Sequence, residues 1–417
     1  MSFKTFLRPS GLILTVILIH GCNTAVPQEV FPVRTGAEVL IEHHLEELEG
    51  QRVGLVMNPT ARIGQTHMLD TLLARGVDVA ALFAPEHGFR GEAGAGEVIE
   101  NGVDQATGLP VFSLYGETRK PTGTMLEEVD LLIFDMQDVG ARFYTYNSTL
   151  GLLLEAAAEY EKPVWLLDRP NPAGGDYVSG WMMDEKHQSF VGMYPIPVAH
   201  GMTLGELGKM MIGEKWIDFE SSPPFRVIPM KGWQRSMKWP ETGLGWTPPS
   251  PNLPTFEHAF VYLGTCLVEG TTLSEGRGTK DPFLTLGSPS TNFDDFDLKQ
   301  LQSKIQGAQL VKTEFVPVSI PGKAVNPKHE GIQSSGLKIT VTDYDLYEPV
   351  ESGLRILTFL MNHTKEAEIR PFIYRLAGTD EIRNLREWED DNTRWDFNLE
   401  TFRKQRSPYL IYESAPE

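Results

Sequence analysis

Between residues 50 and 170 short apolar runs alternate with segments of helical periodicity. "RVGLVM" (52–57), "VDVAALFA" (77–84), "LPVFSLY" (109–115), "DLLIFDM" (130–136) and "PVWLLD" (163–168) each read as a strand. Between them, "THMLDTLLARG" places Leu69, Leu72 and Leu73 on one helical face and stops at Gly76, and "STLGLLLEAAAEYEK" (148–162) is rich in helix formers. Strands this apolar must be covered on both faces, and helices alternating with them supply that cover. The pattern predicts a Rossmann-like, doubly wound, mainly parallel α/β domain over residues 35–180.

After residue 185 the alternation becomes irregular. "TLGELGKMMIGEKW" opens on a Thr203-x-x-Glu206 capping box and reads as a helix. "FRVIPM" and "GLKITVTD" (336–343) look like strands, "WTPPSPNLPTFEHAF" is a proline-stiffened loop entering a helix, and "SGLRILTFLMNHT" (352–364) is helical. A second, smaller α+β domain over 181–417 is the expectation.

The first residues carry a different pattern. Lys4 and Arg8 precede the apolar stretch "GLILTVILI" (11–19), which is too short to span a bilayer comfortably, and "IHGCNT" follows. A small residue, Gly21, directly before Cys22 resembles a bacterial lipoprotein box. It implies a signal peptide over 1–21, lipidation of Cys22, a linker over 22–34 and an exported, periplasmic, membrane-anchored protein. After Cys22 only Cys266 remains, so an exported chain would have no intramolecular disulfide, and Cys266 reads as a small buried hydrophobe.

With 41% hydrophobic and 22% charged residues the composition is that of an ordinary globular protein. The formal charge of −19 becomes −21 if residues 1–21, with Lys4 and Arg8, are removed. This excludes a general nucleic-acid binder, which needs a cationic counterface. An anion could be bound only through a local arginine pocket.

In a parallel sheet ligands bind beyond the carboxyl ends of the strands. There the sequence places "NPT" (58–60), "PEHGFRGE" (85–92), "QDVGARFYTYN" (137–147) and "DRPNPAGG" (168–175). Glu86, His87, Arg90, Asp138, Arg142, Tyr144, Tyr146, Asp168, Arg169 and Asn171 would share one rim. Each has a structural alternative, as a helix-terminal charge, a turn brace or a loop-holding ion pair. A second cluster, "EGTTLSEGRGTKDPF" (269–283), sets Glu269, Glu275 and Arg277 among glycines, with Trp233, Trp239, Trp246 and Tyr262 as stacking or packing aromatics. No GxGxxG, P-loop, HExxH or Gly-x-Ser-x-Gly pattern is present, so no cofactor is expected and no metal site is assigned.

"GLVMNPT", "LFAPEHGFRGEAGAGE", "GLPVFSLYGETRKPT", "LLIFDMQDVGARFYTY", "LDRPNPAGG", "GMTLGEL", "PSPNLPT" and "LVEGTTLSEGRGTKDPF" occur in the order typical of another group. In this the chain resembles the NamZ-type exo-β-N-acetylmuramidases, glycoside hydrolase family 171. The resemblance implies a cleft between a Rossmann-like and an auxiliary domain, and release of N-acetylmuramic acid from the non-reducing end of peptidoglycan fragments. By motif it makes Glu86 the catalytic glutamate, with His87 and Arg90 orienting it or the substrate. Arg142, Arg169 and Arg277 become choices for gripping the substrate's lactyl carboxylate. Asp138, Glu269 and Glu275 stay open as the second catalytic group, and a substrate-assisted route stays open beside them. Two other readings remain: a metal-dependent hydrolase of another substrate, or a non-catalytic glycan-binding lipoprotein.

Overall fold

A computed structural model describes residues 33–86, 88–90, 101–116, 118–387, 397 and 399–414. Seven strands form the main sheet: β1 (Val53–Met57), β2 (Val79–Ala84), β3 (Gly102–Val103), β4 (Pro110–Ser113), β5 (Leu131–Asp135), β6 (Val164–Leu167) and β7 (Phe225–Ile228). Their order is β7-β6-β5-β1-β2-β4-β3, and every pair is parallel except the edge pair β3–β4. All five strands expected from the apolar runs are present. The chain builds outward from β1 through β2 and β4, then returns to β5 on the other side of β1. That reversal is a topological switch point, with a crevice at the carboxyl ends of the strands.

The α/β reading holds because side chains alternate across the sheet. Val53, Leu55, Met57, Leu131 and Ile133 face one core with Leu40 and Leu69 of α1 (Gly36–His43) and α2 (Met68–Ala74). Val56, Phe83, Leu132 and Phe134 face the other, with Leu150, Leu153 and Leu207 of α3 (Tyr146–Glu159) and α4 (Leu204–Gly213). The capping box Thr203–Glu206 opens α4 as expected, and Asp168, at the end of β6, accepts from Thr203 Oγ1 at 2.7 Å.

Two details differ from the sequence pattern. "FRVI" does not belong to the later strands; it is β7, and it runs parallel beside β6. The outer edge of β6 needs a hydrogen-bonding partner, so the sheet draws on chain beyond residue 180. Helix α3 also begins two residues before Ser148, whose hydroxyl donates to the Phe190 carbonyl at 2.7 Å.

The second core half follows from α5 (Phe256–Thr265), α6 (Pro349–Asn362) and an antiparallel sheet of β8 (Thr285–Ser288), β9 (Ala308–Phe315) and β10 (Ser334–Val341), with β10 central. Helices α5 and α6 meet at Gly264 and Gly353, where backbone touches backbone: a Cβ on Gly264 would collide with the Pro349 carbonyl. The same buried cluster continues from Phe83 and Phe134 through Phe260 and Leu357.

Candidate active site

The carboxyl ends of β2, β4 and β5 form one side of a cleft of about 600 Å³. Glu86 follows β2 by two residues, after Pro85 ends the strand. Its carboxylate accepts a hydrogen bond from Thr145 Oγ1 at 3.3 Å. The Tyr115 hydroxyl, from the end of β4, also bonds to it. Burial, together with the neighbouring Glu86 charge, pushes the Tyr115 phenol up to about 12, so it stays protonated as a donor at neutral pH. Beneath them Tyr144 meets Tyr146 edge-on at 4.8 Å, and Tyr262 packs against Phe143 at 5.3 Å. This aromatic layer joins the β5 loop to α5.

The opposite wall is the glycine-containing segment after α5. Gly276 and Gly278 have φ of +81° and +80°, and a Cβ on Gly278 would lie 2.5 Å from the Val318 carbonyl oxygen. Only glycine lets the chain turn there with a second strand of backbone against it. The turn brings Arg277 onto Glu269, with Nε and Nη2 donating to Oε1 at 2.9 and 2.7 Å. Glu275 lies 3.7 Å from Arg277 Nε and 3.0 Å from Lys328 Nζ. Lys328 also donates to the carbonyls of Val268, Glu269 and Leu273. Burial pulls the Arg277 pKa down, but the Glu269 and Glu275 charges outweigh it and the net direction is up. Its Nη1 is buried and has no hydrogen-bond partner among the described residues.

Of the residues expected at the rim, the cleft gathers Glu86 and Tyr144, and it adds Glu269, Glu275 and Arg277 from the second cluster. The other described ones do not line it. Arg142 is fully buried, and its two terminal nitrogens donate to the carbonyls of Trp181, Ile196, Leu376 and Ala377. Burial pulls its pKa down to about 9, and no carboxylate among the described residues pairs with it. Arg169 is sealed in a pair with Asp135, at 2.5 and 3.0 Å. Neither arginine is therefore available to a substrate carboxylate in the cleft. Asp138 accepts from the Gly140 amide at 2.7 Å and lies 3.7 Å from His200 Nε2 beneath the rim. Tyr146 is buried, donating to the Pro249 carbonyl at 2.9 Å, and Asn171 braces its turn through Met202 and Ala173. Arg90 pairs with Asp104 at 2.9 Å, away from the cleft lining. Asp168 is a brace as well, accepting four hydrogen bonds. Trp239 and Trp246 pack on each other at 5.0 Å, and Trp233 packs on Tyr412. His87 and Cys22 lie outside the described residues.

Tyr115, Arg119, Thr145, Lys328 and Arg375 line the cleft and escaped the sequence reading. The carboxyl end of "LPVFSLY" obeys the same strand-end rule and carries Tyr115, with Arg119 four residues on. Thr145 sits inside a segment already singled out. Nothing local marks Lys328 or Arg375. Cys266 is buried, as expected, with its thiol pushed well up by burial. Among the described residues no three His, Cys, Asp or Glu side chains are grouped to hold a metal ion.

Two family models cover most of the chain: exo-β-N-acetylmuramidase NamZ, N-terminal, over residues 53–257, and exo-β-N-acetylmuramidase NamZ, C-terminal, over 260–412. The chain belongs to the NamZ exo-β-N-acetylmuramidase family. Among NamZ relatives, the peptidoglycan β-N-acetylmuramidase NamZ of Bacillus subtilis (strain 168) is 39% identical over 398 residues, 91% of each chain. Two solved DUF1343 family proteins of Bacteroides fragilis NCTC 9343 share the fold. One superposes with a TM-score of 0.79 at 31% identity, covering 92% of this chain and 99% of that one. The other gives 0.75 at 34% identity, covering 92% and 100%. In this NamZ-family chain the two family models meet at residues 257–260, within α5, whose Tyr262 lines the cleft together with Cys266 just past its end.

Proposed function

We propose that this chain is an exo-acting glycosidase releasing N-acetylmuramic acid from the non-reducing end of peptidoglycan fragments, with Glu86 as its general acid/base. The observation that carries this reading is the cleft itself: one carboxyl held by two hydroxyl donors faces a wall of acids and cations. Family membership and the NamZ relative support the same substrate.

Glycoside hydrolysis needs a proton on the departing oxygen as the C–O bond breaks, and stabilisation of the positive charge that develops at the anomeric carbon. Thr145 and Tyr115 fix the direction of the Glu86 carboxyl, which suits it to hand a proton to the leaving oxygen and recover one from the incoming water. Glu275 is our choice as the second acid, since Asp138 does not line the cleft and Glu269 is occupied by Arg277. The lactyl carboxylate is assigned to Arg277, whose free Nη1 can donate while its other nitrogens stay on Glu269.

The export reading belongs to the same proposal. Lys4, Arg8, the apolar residues 11–19 and Gly21–Cys22 support a lipid-anchored periplasmic enzyme. Among the described residues no helix is long and apolar enough to cross a membrane. Labelling of the expressed full chain with an alkynyl fatty acid, lost in Cys22→Ser, tests the anchor.

The activity is tested with residues 23–417, a chromogenic β-N-acetylmuramide and the matching glucosaminide. Release from the muramide alone, lost by roughly 10²–10⁴-fold in a folded Glu86→Gln variant, is the expected result. No release from either the muramide or a muramyl disaccharide would remove the proposal.

A further inference from the structure

The mouth of the cleft carries groups that removal of one terminal sugar does not use. Phe372 and Val325 are 38% and 59% exposed, and both line the cleft. Single exposed apolar side chains are ordinary, but two facing one opening form a platform. Arg119, Lys323 and Arg375 stand beside them, all exposed. Deeper in, Arg277 and Lys328 are matched by Glu269 and Glu275. The outer three cations therefore set the field at the opening of a protein whose formal charge is −19.

The platform is held in place. Phe372 and Arg375 stand three residues apart on the helix Phe372–Ala377, hence on one face. A Cβ on Gly270 would lie 2.5 Å from Ile373 Cα, so only glycine lets this helix settle onto the segment after α5. Its last carbonyls, Leu376 and Ala377, accept from Arg142 at 2.9 and 2.7 Å. The buried guanidinium thus ties the loop after β5, on the Glu86 side, to the helix that bears the lip. On the other side Arg119 lies 4.3 Å over the Phe190 ring, which restricts the guanidinium before any ligand arrives.

An exo-acting enzyme closes on the terminal sugar and must let the rest of the chain leave by the mouth. In peptidoglycan that remainder alternates an uncharged N-acetylglucosamine, with an apolar C–H face, and a muramyl sugar bearing a carboxylate. We infer that the lip is a leaving-side binding site for muramyl glycans longer than a disaccharide. The departing glucosamine lies on Phe372 and Val325, and the lactyl carboxylate of the following sugar meets Arg119, Arg375 and Lys323. The inference rests on the function proposed above and adds the length of glycan preferred.

The test compares three substrates with the same enzyme: the chromogenic muramide, the muramyl disaccharide, and the tetrasaccharide of the same repeat. The tetrasaccharide is expected to show kcat/KM about 10-fold above the disaccharide, mainly through KM, with the advantage shrinking as salt is raised. The double variant Arg119→Gln/Arg375→Gln is expected to abolish that advantage while turning over the chromogenic muramide within about 2-fold of wild type. Phe372→Ala should raise KM for both natural substrates. Equal kcat/KM for the two glycans, or a double variant that keeps the preference, overturns the inference while leaving the proposed activity standing. A wild type inactive on all three overturns both.

Discussion

Replacing Arg277 by methionine isolates the electrostatics of the cleft wall. The guanidinium sits between Glu269 and Glu275, whose side chains are 20% and 5% exposed, and its own is 22% exposed. Removing one partner of a buried ion pair costs about 3–5 kcal/mol, because a charge is left desolvated without its counter-ion. Two features reduce that here: Lys328 stays 3.0 Å from Glu275, and the cleft admits water to Glu269. A loss of about 2–3 kcal/mol at pH 7.5 follows, or roughly 2–4 °C in melting temperature for a chain of this length. The sign with pH is specific. In the variant two carboxylates face each other with one cation fewer, so holding a proton between them relieves the folded state. Stability of the variant relative to wild type should then fall as pH rises from about 4.5 to 7.5. Urea unfolding of both proteins at those two pH values measures it. A deficit that is the same at both values, or absent, would refute the view that Arg277 neutralises two acids, and would leave only a packing role.

Tyr115→Phe removes one of the two hydroxyl donors from Glu86; turnover of the muramide should fall about 10–100-fold with the melting temperature within about 2 °C. Unchanged turnover would separate Tyr115 from the Glu86 chemistry. Asp168 is fully buried at the end of β6, and burial raises its pKa from 3.8 to about 7 against the hydrogen bonds from Tyr412 and Thr203. A raised acid favours the fold below its unfolded pKa and loses that contribution as pH climbs through the folded value, so the window is roughly pH 4–7. Denaturant midpoints should show wild type losing stability across it relative to Asp168→Asn, and parallel curves would contradict the assignment. Gly264→Ala places a methyl against the Pro349 carbonyl and should destabilise by about 3 kcal/mol or more, while Gly245→Ala, with open space around it, should be near neutral in the same thermal melt.

The features legible in the chain alone are those that depend on local order along it. Unbroken apolar runs of strand length, helices between the runs, and proline or glycine at the strand ends were enough to establish a covered parallel sheet with its ligand edge at the carboxyl ends. Glu86 was legible for the same reason: an acid two residues past a buried strand has nowhere to go but the rim. Long ordered motifs then led to the family. The tertiary structure decided which polar residues on that rim face the cleft and which face away. Arg142, Arg169 and Asn171 have the composition of binding residues, yet each turns under the rim to satisfy backbone carbonyls, a buried aspartate or a tight turn. Lys328 and Arg375 have no local signature, because they reach the cleft through pairings with chain far from them in sequence: Lys328 through carbonyls at 268–273, and the helix of Arg375 through Arg142. Side-chain direction depends on the partner each buried polar group finds, and those partners lie tens to hundreds of residues away. "FRVI" became a strand of the first sheet for a related reason, since an open edge, rather than its neighbours in the chain, supplied its hydrogen bonds.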